Sequence, residues 1–440
     1  MLSSGSRSRR RSALAAAVVT AVTPWLGCGT RRPPVFEPLR ARDVRVPVIV
    51  IPGITGVELV DSESGVARWG DGRSLLFPRD GGASLALDDD GDSRLVAGEP
   101  VWDIRFLGIP ARQVYRGVRE LFAANGYREG NLAAPRASED LYFFPYDWRR
   151  SATEAAAELL ARLDALRTAR GADRLRVRIV AQSDAARIAR WLVRYGGASL
   201  EEAESGAARP PAWLDVEDLV LVGAANLGAM RTLREMDRGR KYIGGVGRKL
   251  RGEVFSTFPG VFEALPAPGT ERFVDSRGEP LAVRLHDPDA WVTWGWSGFD
   301  RRGADLAVLA GRLDRAARVH RALLEDPDGF APPRIHRLGS AYEPTASAAV
   351  LDRKNGKPRT RFAGDPEVDS NPVLRVRARS PGDGHATVVS QEGLSPRESA
   401  ACLSDPIWVE AKHFEMILDP GAQLRVLELF AEAENHKRTP

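Results

Sequence analysis

Two cysteines in 440 residues exclude a disulfide framework. No set of histidines and cysteines has the spacing of a metal centre, and no glycine-rich phosphate loop appears. No metal or other cofactor is therefore expected. An excess of one charge is lacking too. The formal net charge of +4 comes from Arg7, Arg9, Arg10 and Arg11. Beyond residue 28 the chain carries 59 basic and 59 acidic side chains. That balance leaves no global argument for nucleic-acid binding. There is no repeat and no low-complexity segment, which excludes solenoids and arrays. What is present is ordinary for a globular protein: 43 % hydrophobic and 28 % charged residues. The length suits one large α/β domain with insertions, or two domains.

The first 28 residues read as an export signal. An arginine cluster precedes the apolar run Ala13 to Val22, and the small residue Gly27 follows. The run is too short to span a bilayer as a helix. Cys28 after Leu26-Gly27 resembles a bacterial lipoprotein signal, with Trp25 where leucine is usual. Lipidation of Cys28 and ordinary cleavage nearby are the two readings. Lipidation would leave Cys402 without a disulfide partner. Both readings imply export to the cell envelope or periplasm. Residues 29–45, rich in proline and arginine, read as a tether.

One stretch organises the rest. Leu175, Val177, Ile179 and Val180 form a short apolar run, which predicts a buried parallel strand. Ala185, Ile188, Ala189 and Leu192 then recur at helical spacing. Ser183 falls on the turn between strand and helix. Such a turn lifts the hydroxyl above a sheet, as in the nucleophile elbow of α/β-hydrolases. Here the elbow reads Ala181-Gln182-Ser183-Asp184-Ala185. Alanines replace the usual glycines as the next smallest residues where strand and helix pass closely. The competing reading is a serine helix cap.

Other elements fall around it. Val46 to Ile51 predicts a strand, followed by the turn Pro52-Gly53-Ile54-Thr55-Gly56. That turn stands where such a fold keeps a second oxyanion donor, or it is an ordinary turn. Residues 57–108 lack periodicity and read as a lid insertion; Asp88-Asp89-Asp90 within them reads as a solvated acidic turn. Helices are predicted over 110–125 and 152–168, and strands at 141–144 and 216–222. Between about 229 and 333 the alternation stops. Phe255, Phe258, Phe262, Trp291, Trp294, Trp296 and Phe299 there suggest a cap whose tryptophans face lipid, or one whose aromatics form its own core. Late strands are expected at 334–338, 373–377 and 407–410, with a closing helix at 424–431. Strands alternating with helices predict a mostly parallel sheet with helices on both faces, residues 46–440 forming one α/β-hydrolase domain with the lid and cap as insertions.

Acyl transfer by serine needs a base, and a carboxylate to orient it. In this fold the chain order is Ser, acid, His. Of six histidines, His413 follows a short strand and precedes the last helix, where the base belongs; His385 competes with it. Asp383, in the loop Ser380-Pro381-Gly382-Asp383-Gly384, is the candidate acid, with Asp365 and Asp369 as alternatives. Ser183, Asp383 and His413 thus form a candidate triad.

With these residues in place, the chain resembles the lecithin:cholesterol acyltransferase family, which includes phospholipid:diacylglycerol acyltransferases and lysosomal phospholipase A2-type transacylases. The resemblance covers about residues 46–430. It rests on VIVIPGITG at 48–56, PYDWR at 145–149, the elbow, GAANLG at 223–228, FPGVFEALP at 258–266, Gly382-Asp383-Gly384, and Lys412-His413. It implies an acyl-serine intermediate, a lipid acyl donor, and an alcohol or water as acceptor. It also implies an oxyanion hole made by the amides of Ile54 and Asp184. The chain differs from the family at Gln182, where a histidine is usual, and at Asp184, where an apolar residue is usual. Ala185-Ala186 replace glycines, GDGHATV lengthens GDGTV, and the lid has no cysteine pair. The expected partners are a lipid or phospholipid substrate and a membrane surface, with no nucleic acid and no obligate protein. Two other readings stay open: an esterase on soluble esters, and a catalytically degenerate lipid-binding protein on the same fold.

Overall fold

The computed structural model describes residues 33–40, 45–88, 91, 93–106, 109–242, 247–298, 306–402 and 404–435. The export signal, Cys28, Asp89, Asp90 and Phe299 lie outside these residues. Among those described, no helix is long and apolar enough to cross a membrane.

Seven parallel strands form the central sheet: β1 (Val48–Ile51), β2 (Glu129–Gly130), β3 (Leu141–Phe143), β4 (Leu175–Gln182), β5 (Leu214–Val222), β6 (Arg334–Gly339) and β7 (Ile407–Trp408). Their order is β7-β6-β5-β4-β1-β3-β2. The chain leaves β1 toward β3 on one side and resumes at β4 on the other. The crevice between β1 and β4, at their carboxyl ends, is therefore the switch point where such sheets hold ligands. β1 is fully buried, as its run of four β-branched residues requires. This is the α/β-hydrolase fold that the sequence predicts.

The main helices are α1 (Arg116–Ala124), α2 (Ala152–Ala169), α3 (Ala185–Tyr195), α4 (Met230–Arg238), α5 (Leu306–Leu324) and α6 (Pro420–Asn435). Ser151 caps α2, accepting from the Thr153 amide, and Glu263 accepts from both the Ser151 hydroxyl (2.5 Å) and the Ala152 amide (2.9 Å). The FPGVFEALP motif thus fixes the start of α2. PYDWR has a similar anchoring role. Arg149 is fully buried, pairs with Asp147, and donates to the carbonyls of Leu85 and Leu95 at 2.9 and 3.1 Å. Trp148 donates to the Val57 carbonyl at 3.1 Å. The motif therefore ties Val57, Leu85 and Leu95 to the loop that follows β3.

Several elements differ from expectation. Residues 57–100 are not irregular: Val57–Asp61, Ala67–Trp69 and Leu95–Pro100 form a small antiparallel sheet. The helix expected over 110–125 is shorter. Ile109–Gln113 pairs with Asp103–Phe106 as a hairpin, and α1 starts only at Arg116. Residues 373–377, expected as a strand, are helical. Pro372 suits the first helical position, and the Asn371 side chain accepts the amides of Val373 and Leu374. The strand at this point is Arg379–Gly382, and it pairs with Glu343–Ala346 outside the central sheet. Ala349–Lys354 and Lys357–Phe362 form a hairpin in a second sheet, turning at Asn355-Gly356, both at positive φ. Of the three cap tryptophans expected to face lipid, Trp294 is partly exposed, but Trp291 and Trp296 point inward. Both are fully buried and stack edge to face, because the cap builds its own aromatic core. Within the stretch expected as a tether, Leu39 is buried on a helical turn, Glu37–Arg40, and the Phe36 amide donates to Asn125.

Candidate active site

Ser183 follows β4 directly and has φ 57°, a left-handed conformation that a residue with a Cβ adopts only under constraint. Its amide donates to the Val222 carbonyl at 2.8 Å, which pins the turn to β5. Ala181 and Ala185 on either side are fully buried, the close passage that small residues allow. The strain falls on the one residue whose hydroxyl must project above the sheet edge.

The structure brings His413 and Asp383 to this hydroxyl. His413 Nε2 lies 2.8 Å from Ser183 Oγ, and Nδ1 lies 2.8 Å from Asp383 Oδ2. The His413 amide also donates to the Asp383 carbonyl at 2.9 Å, tying the two loops together. The other carboxylate oxygen of Asp383 accepts the amides of His385 (2.8 Å) and Ala386 (2.7 Å). Burial pushes the Asp383 carboxyl up. Electrostatic attraction to the His413 imidazole and its hydrogen bond, with the His385 ring and amide, outweigh this and hold it below the usual value. An ionised carboxylate only accepts, so His413 carries its proton on Nδ1 and turns the Nε2 lone pair to the serine. Gly223 lies against this pair in a left-handed conformation, φ +56°, that favours glycine.

His385 does not reach the serine. Its ring lies 4.5 Å from that of His413, and its Nε2 lies 3.8 Å from Asp184 Oδ2. Burial and neighbouring positive charge push it down to about 4, so it is neutral at pH 7. Asp365 and Asp369 are elsewhere. Asp365 pairs with Arg238 and accepts the Phe362 amide, and Asp369 accepts from Gly364.

The Pro52–Gly56 turn packs against the elbow. A Cβ on Gly53 would fall 3.0 Å from Ser183 Cβ, so a side chain there would force the turn and the elbow apart by a few tenths of an ångström. Among the described residues, the amides of Ile54 and Asp184 have no protein acceptor. The Asp184 side chain does not cap α3. It pairs with Arg187 at 2.7 Å, with both side chains about 95 % or more buried. Burial pushes the Asp184 carboxyl up, but Arg187 chiefly, with His385 and His413, brings it below its usual value.

A cleft opens at Ser183, with about 810 Å3 of atom-free space including its mouth. Its walls are largely apolar: Ile54, Trp69, Leu75, Val101, Ile104 and Ile417. Among the described residues its lining includes Arg112 and Arg240 and no carboxylate. The cleft also receives Tyr115 and Gln182. The tyrosine was not singled out by sequence, because nothing local marks a tyrosine before a helix as part of a site. Among the described residues no group of His, Cys, Asp and Glu could hold a metal ion.

No family model matches the chain, and no curated protein matches it. Among solved structures it is similar to one described as "The crystal structure of Tle4-Tli4 complex", at 14 % identity and a TM-score of 0.55. That similarity covers 91 % of this chain and 100 % of the other. At this identity the likeness is one of fold, and it agrees with the sheet order in assigning the chain to the α/β-hydrolase fold.

Proposed function

We propose that this protein is a serine lipid esterase or O-acyltransferase, which moves a fatty acyl group from a lipid ester through an acyl-serine to an alcohol or to water. One observation carries the reading: a strained serine, bonded to a histidine that is bonded to a buried carboxylate, at the head of an apolar cleft. The chemistry follows from the geometry. Ser183 Oγ attacks the ester carbonyl as its proton passes to His413 Nε2. Asp383 stabilises the imidazolium across Nδ1. The amides of Ile54 and Asp184 take the oxyanion. Collapse of the tetrahedral species breaks the ester bond, and His413 returns the proton to the leaving alcohol. Water or a second alcohol then repeats the sequence on the acyl-serine and restores the Ser183 hydroxyl. The apolar walls favour an acyl chain over a polar substituent, which is why a lipid ester is preferred to a soluble one.

The resemblance to the lecithin:cholesterol acyltransferase family supports the same reading and adds phospholipid as donor. A degenerate binding protein would need neither the Ser183–His413 nor the His413–Asp383 contact, which weighs against that alternative. A fluorophosphonate probe is expected to label wild type at Ser183, read by mass of the labelled peptide. An intact chain that takes no label would make the degenerate reading the correct one.

Export and attachment through Cys28 belong to this proposal. A lipid anchor would keep the enzyme at a surface that supplies its substrate. Cys28→Ser is expected to move the protein from the membrane to the soluble fraction after export. A wild type already soluble after export would overturn the anchor.

A further inference from the structure

Tyr115 lies between the turn after β1 and the elbow after β4. It is 2 % exposed and its ring lines the cleft. Its hydroxyl accepts the Gly53 amide at 2.8 Å and donates to Gln182 Oε1. One hydroxyl therefore joins the residue before Ile54 to the residue before Ser183. The fit is close: a Cβ on Gly56 would fall 2.9 Å from the same oxygen. Tyr115 is itself held where the cleft hairpin rejoins the body. Its amide donates to the Val101 carbonyl at 3.3 Å, and the Val101 amide donates to the Gly56 carbonyl at 2.9 Å. The hairpin Asp103–Gln113 leaves the body just after Val101 and returns just before Tyr115. Both feet of the hairpin are thus hydrogen-bonded to the turn that contains Ile54.

We propose that Tyr115 is the positioning residue of the oxyanion hole, setting the distance between the Ile54 amide and Ser183 by bridging Gly53 to Gln182. This rests on the proposed acyl-transfer function and deepens it. Tyr115 takes no part in bond making. Its hydroxyl is turned to the Gly53 amide and the Gln182 amide oxygen, and burial pushes its phenol up, so it stays protonated. Its contribution is to stop the Gly53–Ile54 backbone from swinging away from the elbow. An oxyanion donor is worth about 10²–10³ in rate when in place, and a displacement of about 1 Å can cost about 10². The same bridge gives Gln182 a role: its Oε1 accepts the Tyr115 hydroxyl, as an apolar side chain there could not.

The test compares wild type, Ser183→Ala, Tyr115→Phe, Gln182→Met and the double variant on a medium-chain p-nitrophenyl ester, with melting temperatures checked for each. Tyr115→Phe is expected to lower kcat about 30-fold, with KM within about threefold, because the fault lies at the oxyanion and not in the cleft. Affinity for a long-chain trifluoromethyl ketone, whose hemiketal carries the oxyanion, should weaken by a similar factor. Affinity for the matching fatty alcohol should not change. Gln182→Met should cost less, and the double variant no more than Tyr115→Phe alone, since both break one bridge. Gln182→Met alone, if Tyr115→Phe fails to fold, must still lower kcat and ketone affinity together with KM held. Wild-type kcat in a folded Tyr115→Phe that labels at Ser183 overturns the assignment and leaves the proposed function standing. So does a loss confined to KM. A wild type that neither labels nor turns over ester overturns both.

Discussion

Ser183→Ala and His413→Ala are each expected to lower ester turnover by about 10⁶, and the double variant by little more. Attack and proton transfer are one event, so removing either partner removes nearly the whole benefit. Oγ and Nε2 stand 2.8 Å apart, within reach for direct transfer without a bridging water. Asp383→Asn is expected to cost about 10⁴, because an amide can offer its N–H to Nδ1 and hold His413 in the wrong tautomer. Asp365→Asn and Asp369→Asn should stay near wild type in rate, since Asp365 pairs with Arg238 and Asp369 holds Gly364 and Arg379, away from His413. Steady-state kinetics on a medium-chain ester reads all six. A Ser183→Ala variant that keeps more than about a hundredth of wild-type turnover would remove serine from the chemistry.

How much of this was legible without coordinates depends on how local the signal is. The elbow is a local pattern, since the strand run and the helical spacing meet at Ser183, and the structure places a strained serine there. Fold class was legible for the same reason, because buried parallel strands read as unbroken apolar runs. Residues 373–377 misled because Val373 and Val376 look like a strand. In the folded chain both are exposed, and Asn371 and Pro372 start a helix that tolerates them. The hairpin at Asn355-Gly356 carries a plain turn signal between two short β-prone runs. Tyr115 was not legible at all. Its partners are 62 and 67 residues away in sequence, and only the topology brings them together. The arginines of α3 are non-local in another way. Arg187, Arg190 and Arg194 recur at helical spacing as a solvated face would, yet all three are buried. Arg190 and Arg194 share Glu398, at 2.7 and 3.0 Å, and Arg187 goes to Asp184. A charge stripe reads as surface until its acidic partners, more than 200 residues away for two of the three, are folded onto it.

Arg187→Met is expected to destabilise the protein by about 3–5 kcal/mol at pH 7, because it strands the Asp184 carboxylate without its main partner. Asp184 Oδ1 accepts from Arg187, while Oδ2 lies 3.4 Å from Ser183 Oγ and 3.8 Å from His385 Nε2. In the intact pair the folded-state carboxyl sits below its unfolded value. Its ionisation therefore adds stability that is present above the unfolded pKa, near about 4, and is lost as pH falls through the folded pKa. Without Arg187 burial is left as the dominant influence and the folded-state value rises. The sign then reverses: Arg187→Met should gain stability relative to wild type as pH falls and Asp184 takes up a proton. Turnover should suffer with stability at neutral pH, since an unpaired anion beside Oγ opposes the charge that develops on the substrate oxygen. Asp184→Met tests the other half. With the pair intact the carboxylate is already neutralised, so its removal should change kcat/KM by no more than about tenfold, or about 1.4 kcal/mol. Asp184→Met/Arg187→Met replaces both charges by apolar groups and should be more stable than Arg187→Met alone. Urea midpoints at pH 5 and 7, with kcat/KM for each variant, separate the outcomes. An Arg187→Met protein as stable as wild type would mean that Asp184 draws its compensation from His385 and the α3 amides instead. A hundredfold gain in Asp184→Met would mean that the charge works against the reaction even when paired, and that this elbow trades rate for the ion pair that holds it.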